Sequence, residues 1–132
     1  MTAVRFIVTF SAPPHEVYEA LMDAKRHAAF TGDVAKINRQ VGGTFSVFGG
    51  YATGRNLKLV PDRKIVQEWR ASDWAPGVYS TVTFELANRR RGTKLTFLQT
   101  GVPAEHVDAI KQGWEEYYWA PMKSYFSGDL AA

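Results

Sequence analysis

The chain of 132 residues contains no cysteine, so disulfide bridges and thiolate metal centres are excluded at the outset. Long apolar runs are also missing; none approaches the ~20 residues of a membrane span. No signal peptide precedes the strand-like stretch Val4-Arg5-Phe6-Ile7-Val8, and a soluble cytoplasmic protein is the expectation. Histidine is scarce. His15 and His106 stand near helix starts, which predicts solvent exposure, His27 falls in a short helix, and none has a partner at a metal-ligand spacing such as H-E-x-x-H. There is no G-x-S-x-G turn, and neither Gly42-Gly43 nor Gly49-Gly50 leads into a helix opening on Lys-Ser/Thr, so both pairs read as hairpin glycines. Glu68 and Glu85 alternate against Trp69 and Phe84 and are expected to face water. No catalytic set, metal site or cofactor site emerges. The charge imbalance is small, +3 with a pI near 9.3. Its one dense run, Arg89-Arg90-Arg91, reads as a hairpin tip without interleaved aromatics, so nucleic acid is not an expected partner.

What the chain has is large apolar side chains. Hydrophobic residues make up 45% and aromatics 14%, enough for one folded domain over residues 1–132 with a bulky core. The longest organised stretch runs from Ala104 to Phe126. Its apolar residues Val107, Ile110, Trp114, Tyr117, Tyr118, Met122 and Phe126 recur in steps of three and four, one stripe of a helix roughly 34 Å long at ~1.5 Å per residue. Gly113 sits inside it at a cost of about 1 kcal/mol relative to Ala, which suggests close approach of a neighbouring group. Pro121 cannot donate to the Tyr117 carbonyl and should kink or break the last turn.

Elsewhere the period changes to two. A strand at Arg5–Ser11 is followed by two short helices from His15 to Phe30. Then come Val34–Asn38, Thr44–Phe48, Tyr51–Val60, Lys64–Ser72, Val78–Ala87 and Thr93–Gly101, all separated by turn residues. Short connections imply antiparallel neighbours. The class is α+β: a curved antiparallel sheet of about six to seven strands around the long C-terminal helix.

The segments Gly54-Arg55-Asn56-Leu57-Lys58-Leu59-Val60-Pro61-Asp62, Ile65-Val66, Trp69-Arg70 and Ser72-Asp73-Trp74 carry a family likeness. So do Tyr79-Ser80-Thr81-Val82, Gly92-Thr93-Lys94-Leu95-Thr96, Gln99-Thr100-Gly101-Val102-Pro103, Gly113-Trp114, Tyr117-Tyr118-Trp119 and Pro121-Met122. In this order they resemble the C-terminal domain of the family named after the activator of the heat-shock protein 90 ATPase. The resemblance implies the helix-grip fold of the START-like, birch-pollen-allergen-like (SRPBCC) superfamily, with a cavity between sheet and helix. It also implies a chaperone partner. The two-domain eukaryotic activator has a further N-terminal domain that carries most of that contact. This chain has no room for it, so ATPase activation by this domain alone is not expected.

Within such a fold, Tyr51, Leu57, Gln67, Trp69, Val82, Phe84, Phe97, Gln99, Trp114, Tyr118 and Met122 are the candidate cavity lining. Tyr and Trp combine an apolar body with a polar tip, which suits a small hydrophobic or amphipathic ligand. The alternative is that Trp69 and Trp114 are simply core. Gln67 and Gln99 could orient a ligand, or bond each other or water. Trp74, in a loop, reads as a lid or a protein-contact anchor whose removal leaves stability nearly unchanged. Trp119 lies off the apolar stripe and is expected to be partly exposed. With Arg89, Arg90 and Arg91 these two form the candidate protein-interaction set. The expectations are a non-enzymatic binding module or, alternatively, a co-chaperone-like interaction module of the stress response.

Overall fold

Burial alternates residue by residue through the second half of the chain. In β5 (Lys64–Ala71) the buried side chains are Ile65, Gln67, Trp69 and Ala71; in β6 (Ser80–Arg89) they are Ser80, Val82, Phe84 and Leu86. β7 (Gly92–Val102) buries Leu95, Phe97 and Gln99 on the same face. Each strand thus has one face for the core and one for water. The computed structural model describes residues 2–90 and 92–127. It joins these strands to β1 (Thr2–Phe10), β2 (Ala35–Ile37), β3 (Thr44–Val47) and β4 (Ala52–Val60) in one antiparallel sheet of order β1-β7-β6-β5-β4-β3-β2. From β2 to β7 each strand lies beside its neighbour in sequence, as short hairpins dictate. β1 pairs with β7 instead, Val4 opposite Gln99 and Val8 opposite Leu95.

Two local features shape the middle of the sheet. Gly54 lies opposite Trp69, and a Cβ there would come within 1.8 Å of the Glu68 carbonyl oxygen, so only glycine lets β4 approach β5. Between Asn56 and Lys58 the register slips. Leu57 is the extra residue of that bulge and is 39% exposed. It therefore does not line a cavity: the bulge keeps Asn56 inward and turns Leu57 to solvent.

Helices α1 (Pro14–Met22) and α2 (Ala24–Thr31) follow β1 directly. Pro14 occupies the first turn of α1, where its missing N–H is not needed. Val17, Leu21 and Met22 of α1, and His27 and Phe30 of α2, are buried. α1 packs on β6 and β7, and α2 on β2.

After a 3₁₀ turn at Ala104–His106, the terminal helix comprises α3 (Val107–Trp114), a five-residue π turn (Glu115–Trp119) and α4 (Ala120–Ser127). Of the kink or break expected at Pro121, the break does not occur; the helix is instead distorted into a π turn just before it. The Ala120 N–H reaches back five residues to the Glu115 carbonyl, and this wide turn just before the proline absorbs the donor it lacks. The extra residue also rotates the helix face. Tyr117 swings out to 57% exposure, while Trp119, expected to be partly exposed, is buried at 4%. Its indole stacks on Trp114 (5.6 Å, 22°) and meets Phe6 and Phe97 edge-on. Among the described residues no helix is long and apolar enough to cross a membrane.

Candidate functional site

A cleft of about 490 Å³ opens beside the terminal helix. Ile110, Gly113 and Trp114 of α3 form one wall, and Tyr117 and Tyr118 of the π turn continue it. Phe48, Tyr51, Trp69 and Asp33 face them. Phe48 reaches its place by an unusual backbone: its φ is 54°, followed by 63° at Gly49 and 100° at Gly50. Such a conformation costs a bulky residue of order 1 kcal/mol or more, so its surroundings must hold it. They do: the Phe48 ring meets those of Tyr117 (6.0 Å), Tyr118 (5.5 Å) and His27 (6.0 Å) edge-on.

Behind this cleft the space between sheet and helix is filled. An inner chamber of about 20 Å³, the room of one water, lies beyond the shared wall of Trp69, Trp114 and Tyr118, with His27, Gln67 and Phe84 among its lining. The two inward glutamines are each held by a chain of hydrogen bonds. The Trp114 Nε1–H donates to Gln99 Oε1 (2.8 Å), Gln99 Nε2 donates to Ser80 Oγ (2.9 Å), and Ser80 Oγ donates to the Trp69 carbonyl (2.8 Å). A second chain runs from Gln67 Nε2 to Asn56 Oδ1 (3.1 Å), and from Asn56 Nδ2 to the carbonyls of Asn38 and Gln40. Gln67 and Gln99 do not meet, because Val82 lies between them across the sheet.

His27 Nε2 lies 2.8 Å from the Tyr118 hydroxyl, both buried, with the His27 ring also against Phe30 (5.0 Å). Burial pushes His27 down to about 4 and raises Tyr118, so at neutral pH the pair is an uncharged imidazole and a phenol. Tyr51 is raised, first by burial and then by the Asp73 and Tyr117 side chains. His15, by contrast, is exposed and raised by its hydrogen bond to Asp62 (2.9 Å).

Of the residues expected to line a cavity, the structure brings Tyr51, Trp69, Trp114 and Tyr118 to this cleft. Gln67 and Phe84 line only the inner chamber. Val82, Phe97, Gln99 and Met122 are sealed in the core, each at most 1% exposed, and Leu57 faces out. Trp74 is a correction: it is 3% exposed, edge-on to Trp69 at 5.5 Å and beside the His106 ring. The Arg70 guanidinium fastens its loop by donating to the carbonyls of Trp74 (2.6 Å), Ala75 and Val78. Trp74 and Trp119 are therefore buried and cannot serve as contact anchors. Arg89 and Arg90 are exposed, with Arg90 at φ 56°; Arg91 lies outside the described residues. Gly113 is a second correction. A Cβ there would meet only Tyr117 Cδ2, at 3.9 Å, so no close neighbour requires glycine and its bare face opens on the cleft. Sequence reasoning missed Phe48, read as the end of a strand, along with Asp33 and the partnership of His27 with Tyr118.

A seven-stranded antiparallel sheet closed on a terminal helix, with two short helices after β1 and a cleft at the helix's side, is the START-like helix-grip arrangement. A crystal structure of an HSP90 activator from Plasmodium falciparum superposes with a TM-score of 0.90 at 26% identity, covering 96% of this chain and 97% of that one. The family described as "Activator of Hsp90 ATPase homolog 1-like protein" matches residues 11–127, and the chain belongs to it. It is 31% identical over 118 residues to the human "Activator of 90 kDa heat shock protein ATPase homolog 1", covering 89% of this chain and 35% of that protein. It is 30% identical over 131 residues to the Saccharomyces cerevisiae "Hsp90 co-chaperone AHA1", covering 95% of this chain and 37% of that protein. The chain thus spans about a third of the length of these curated relatives.

Proposed function

We propose that this domain is a non-enzymatic binding module that holds a small apolar or amphipathic molecule in the cleft between α3 and the Phe48–Gly50 turn. The observation that carries this reading is the cleft: about 490 Å³, walled mainly by aromatic side chains, with a helix glycine opening on it. That volume lies within the range of small-molecule sites, and aromatic walls with a few polar tips are their usual lining. The reading differs from the sequence expectation in one respect, that the ligand sits at the mouth beside the helix and not deep between helix and sheet. Native mass spectrometry of the protein purified from its own host, followed by solvent extraction, tests it. A defined co-purifying molecule that Gly113→Leu no longer retains supports the reading. A clean apo mass for the intact folded protein, with no extracted molecule, overturns it.

A second reading, a co-chaperone-like module acting on heat-shock protein 90 in the cytoplasm, draws support from the relatives named as activators and co-chaperones. With Trp74 and Trp119 buried, the exposed part of the sequence-derived interaction set is Arg89 and Arg90. Charge reversal at these two, followed by pull-down with the host chaperone, tests this reading; undiminished capture removes the basic tip from the interface.

A further inference from the structure

We infer that the cleft selects an organic cation, an apolar molecule carrying an amine or quaternary ammonium group. This rests on the binding-module reading above and names the chemistry of its ligand. The first argument is the shape of the wall. Phe48, Tyr51, Tyr117 and Tyr118 present rings from opposite sides of one opening, with Tyr51 at 44% and Tyr117 at 57% exposure. Phe48 packs edge-on against Tyr117 and Tyr118, and the exposed parts of Tyr51 and Tyr117 border the open space of the cleft. Ring faces carry negative quadrupole density, and several around one space favour a positively charged group, above all a methylated ammonium.

Charge is the second argument. Although the chain as a whole carries +3, no lysine, arginine or histidine lines the cleft among the described residues. Its one ionisable carboxylate is Asp33. Asp33 Oδ1 accepts from the Val34 N–H at 2.8 Å, which fixes the carboxylate at the rim. No cationic side chain of the described residues stands within ion-pair distance of it. Nearby, Asp73 is close enough for its charge to raise the Tyr51 phenol. An anionic ligand would meet a carboxylate and ring faces there with no counter-charge; a cation would meet both in its favour.

Gly113 supplies the third. An α3 glycine with nothing but Tyr117 Cδ2 near its missing Cβ forgoes helix stability without any packing need. The effect is to leave a bare strip of helix beside Tyr117, onto which a flat or trimethylated group can settle.

The test uses the full chain and two probes of nearly equal shape, phenyltrimethylammonium and its neutral carbon isostere tert-butylbenzene. Binding is followed by amide chemical shifts and tryptophan fluorescence. The cation is expected to bind roughly 3- to 30-fold more tightly than the isostere, the range that desolvated cation–aromatic contacts give. Asp33→Asn should weaken the cation roughly two- to fivefold and leave the isostere unchanged. Gly113→Leu should remove both while the circular-dichroism spectrum stays that of the wild type. Equal affinity for the two probes overturns the inference and leaves the binding-module reading intact. No binding of either probe at millimolar concentration to folded protein overturns both.

Discussion

The Trp114–Gln99 hydrogen bond ties the terminal helix to the sheet, and breaking it from either side yields a number that the geometry fixes in advance. Both groups are buried, Gln99 at 0% and Trp114 at 3% exposure, and the donor–acceptor distance is 2.8 Å. Gln99→Leu keeps the volume but strands the indole N–H in a dry core. An orphaned buried donor costs about 1–3 kcal/mol, so a loss near 2 kcal/mol is expected. For 132 residues, with an unfolding entropy of ~2.1 cal/mol/K per residue, that lowers Tm by roughly 7 °C. Trp114→Phe strands the Gln99 carbonyl instead and gives up the larger ring as well. The double variant strands neither group, and its loss should fall short of the two single losses added together by about 1–3 kcal/mol. Urea unfolding followed by far-ultraviolet circular dichroism, with an unchanged m-value, measures all three. Single losses that add to within about 0.5 kcal/mol would show that the bond contributes nothing specific, and the argument that this polar chain seats the helix would be refuted.

Three further outcomes are expected. Trp74→Ala should cost about 3–5 kcal/mol, contrary to the sequence expectation of a nearly neutral change, because the indole is buried against Trp69; thermal unfolding measures it. Stability should fall as pH drops from about 6.5 towards 4, since unfolded chains then take up a proton on His27 that the folded protein refuses. The loss approaches about 3 kcal/mol at pH 4, and urea melts across that window should show this component disappear in His27→Gln. Gly113→Ala should raise stability by up to about 1 kcal/mol, since its Cβ finds ordinary contact distance and the helix gains a better former; a lower Tm would mean that the glycine has an unseen neighbour.

The elements that sequence made legible are those whose pattern is local. Alternation in Lys64–Ala71 and the paired strands after it placed Trp69, Phe84 and Phe97 inward, and the hairpin glycines and Pro61-Asp62-Arg63 placed the turns. The terminal helix was legible to Trp114, and Tyr118 and Met122 after it are buried as its stripe predicts. Beyond Trp114, a 3.6-residue period was assumed where the chain inserts a π turn, so Tyr117 and Trp119 exchange their expected environments. Pro121 is the available signal, read as a kink or break, and the wider turn accommodates it. Leu57 was misplaced for a related reason, one extra residue in a strand that shifts the alternation. His27 and Tyr118 are 91 positions apart, and Asp33 joins the cleft only through the packing of α2 beside the terminal helix. No periodicity encodes such meetings; they depend on tertiary geometry.

The pairing of β1 with β7 has a consequence for how this chain is made. Phe10 lies opposite Thr93 and Thr2 opposite Val102, so β1 must wait for β7 to be made before it can pair. At 5–20 residues per second, the interval between Phe10 and Val102 is about 5–20 s. During it, Phe6, Val8 and Phe10 have no sheet to join, and the growing β2–β6 meander keeps an unpaired border. Closure comes only when the terminal helix and β1 can settle together, which makes folding a late, long-range event.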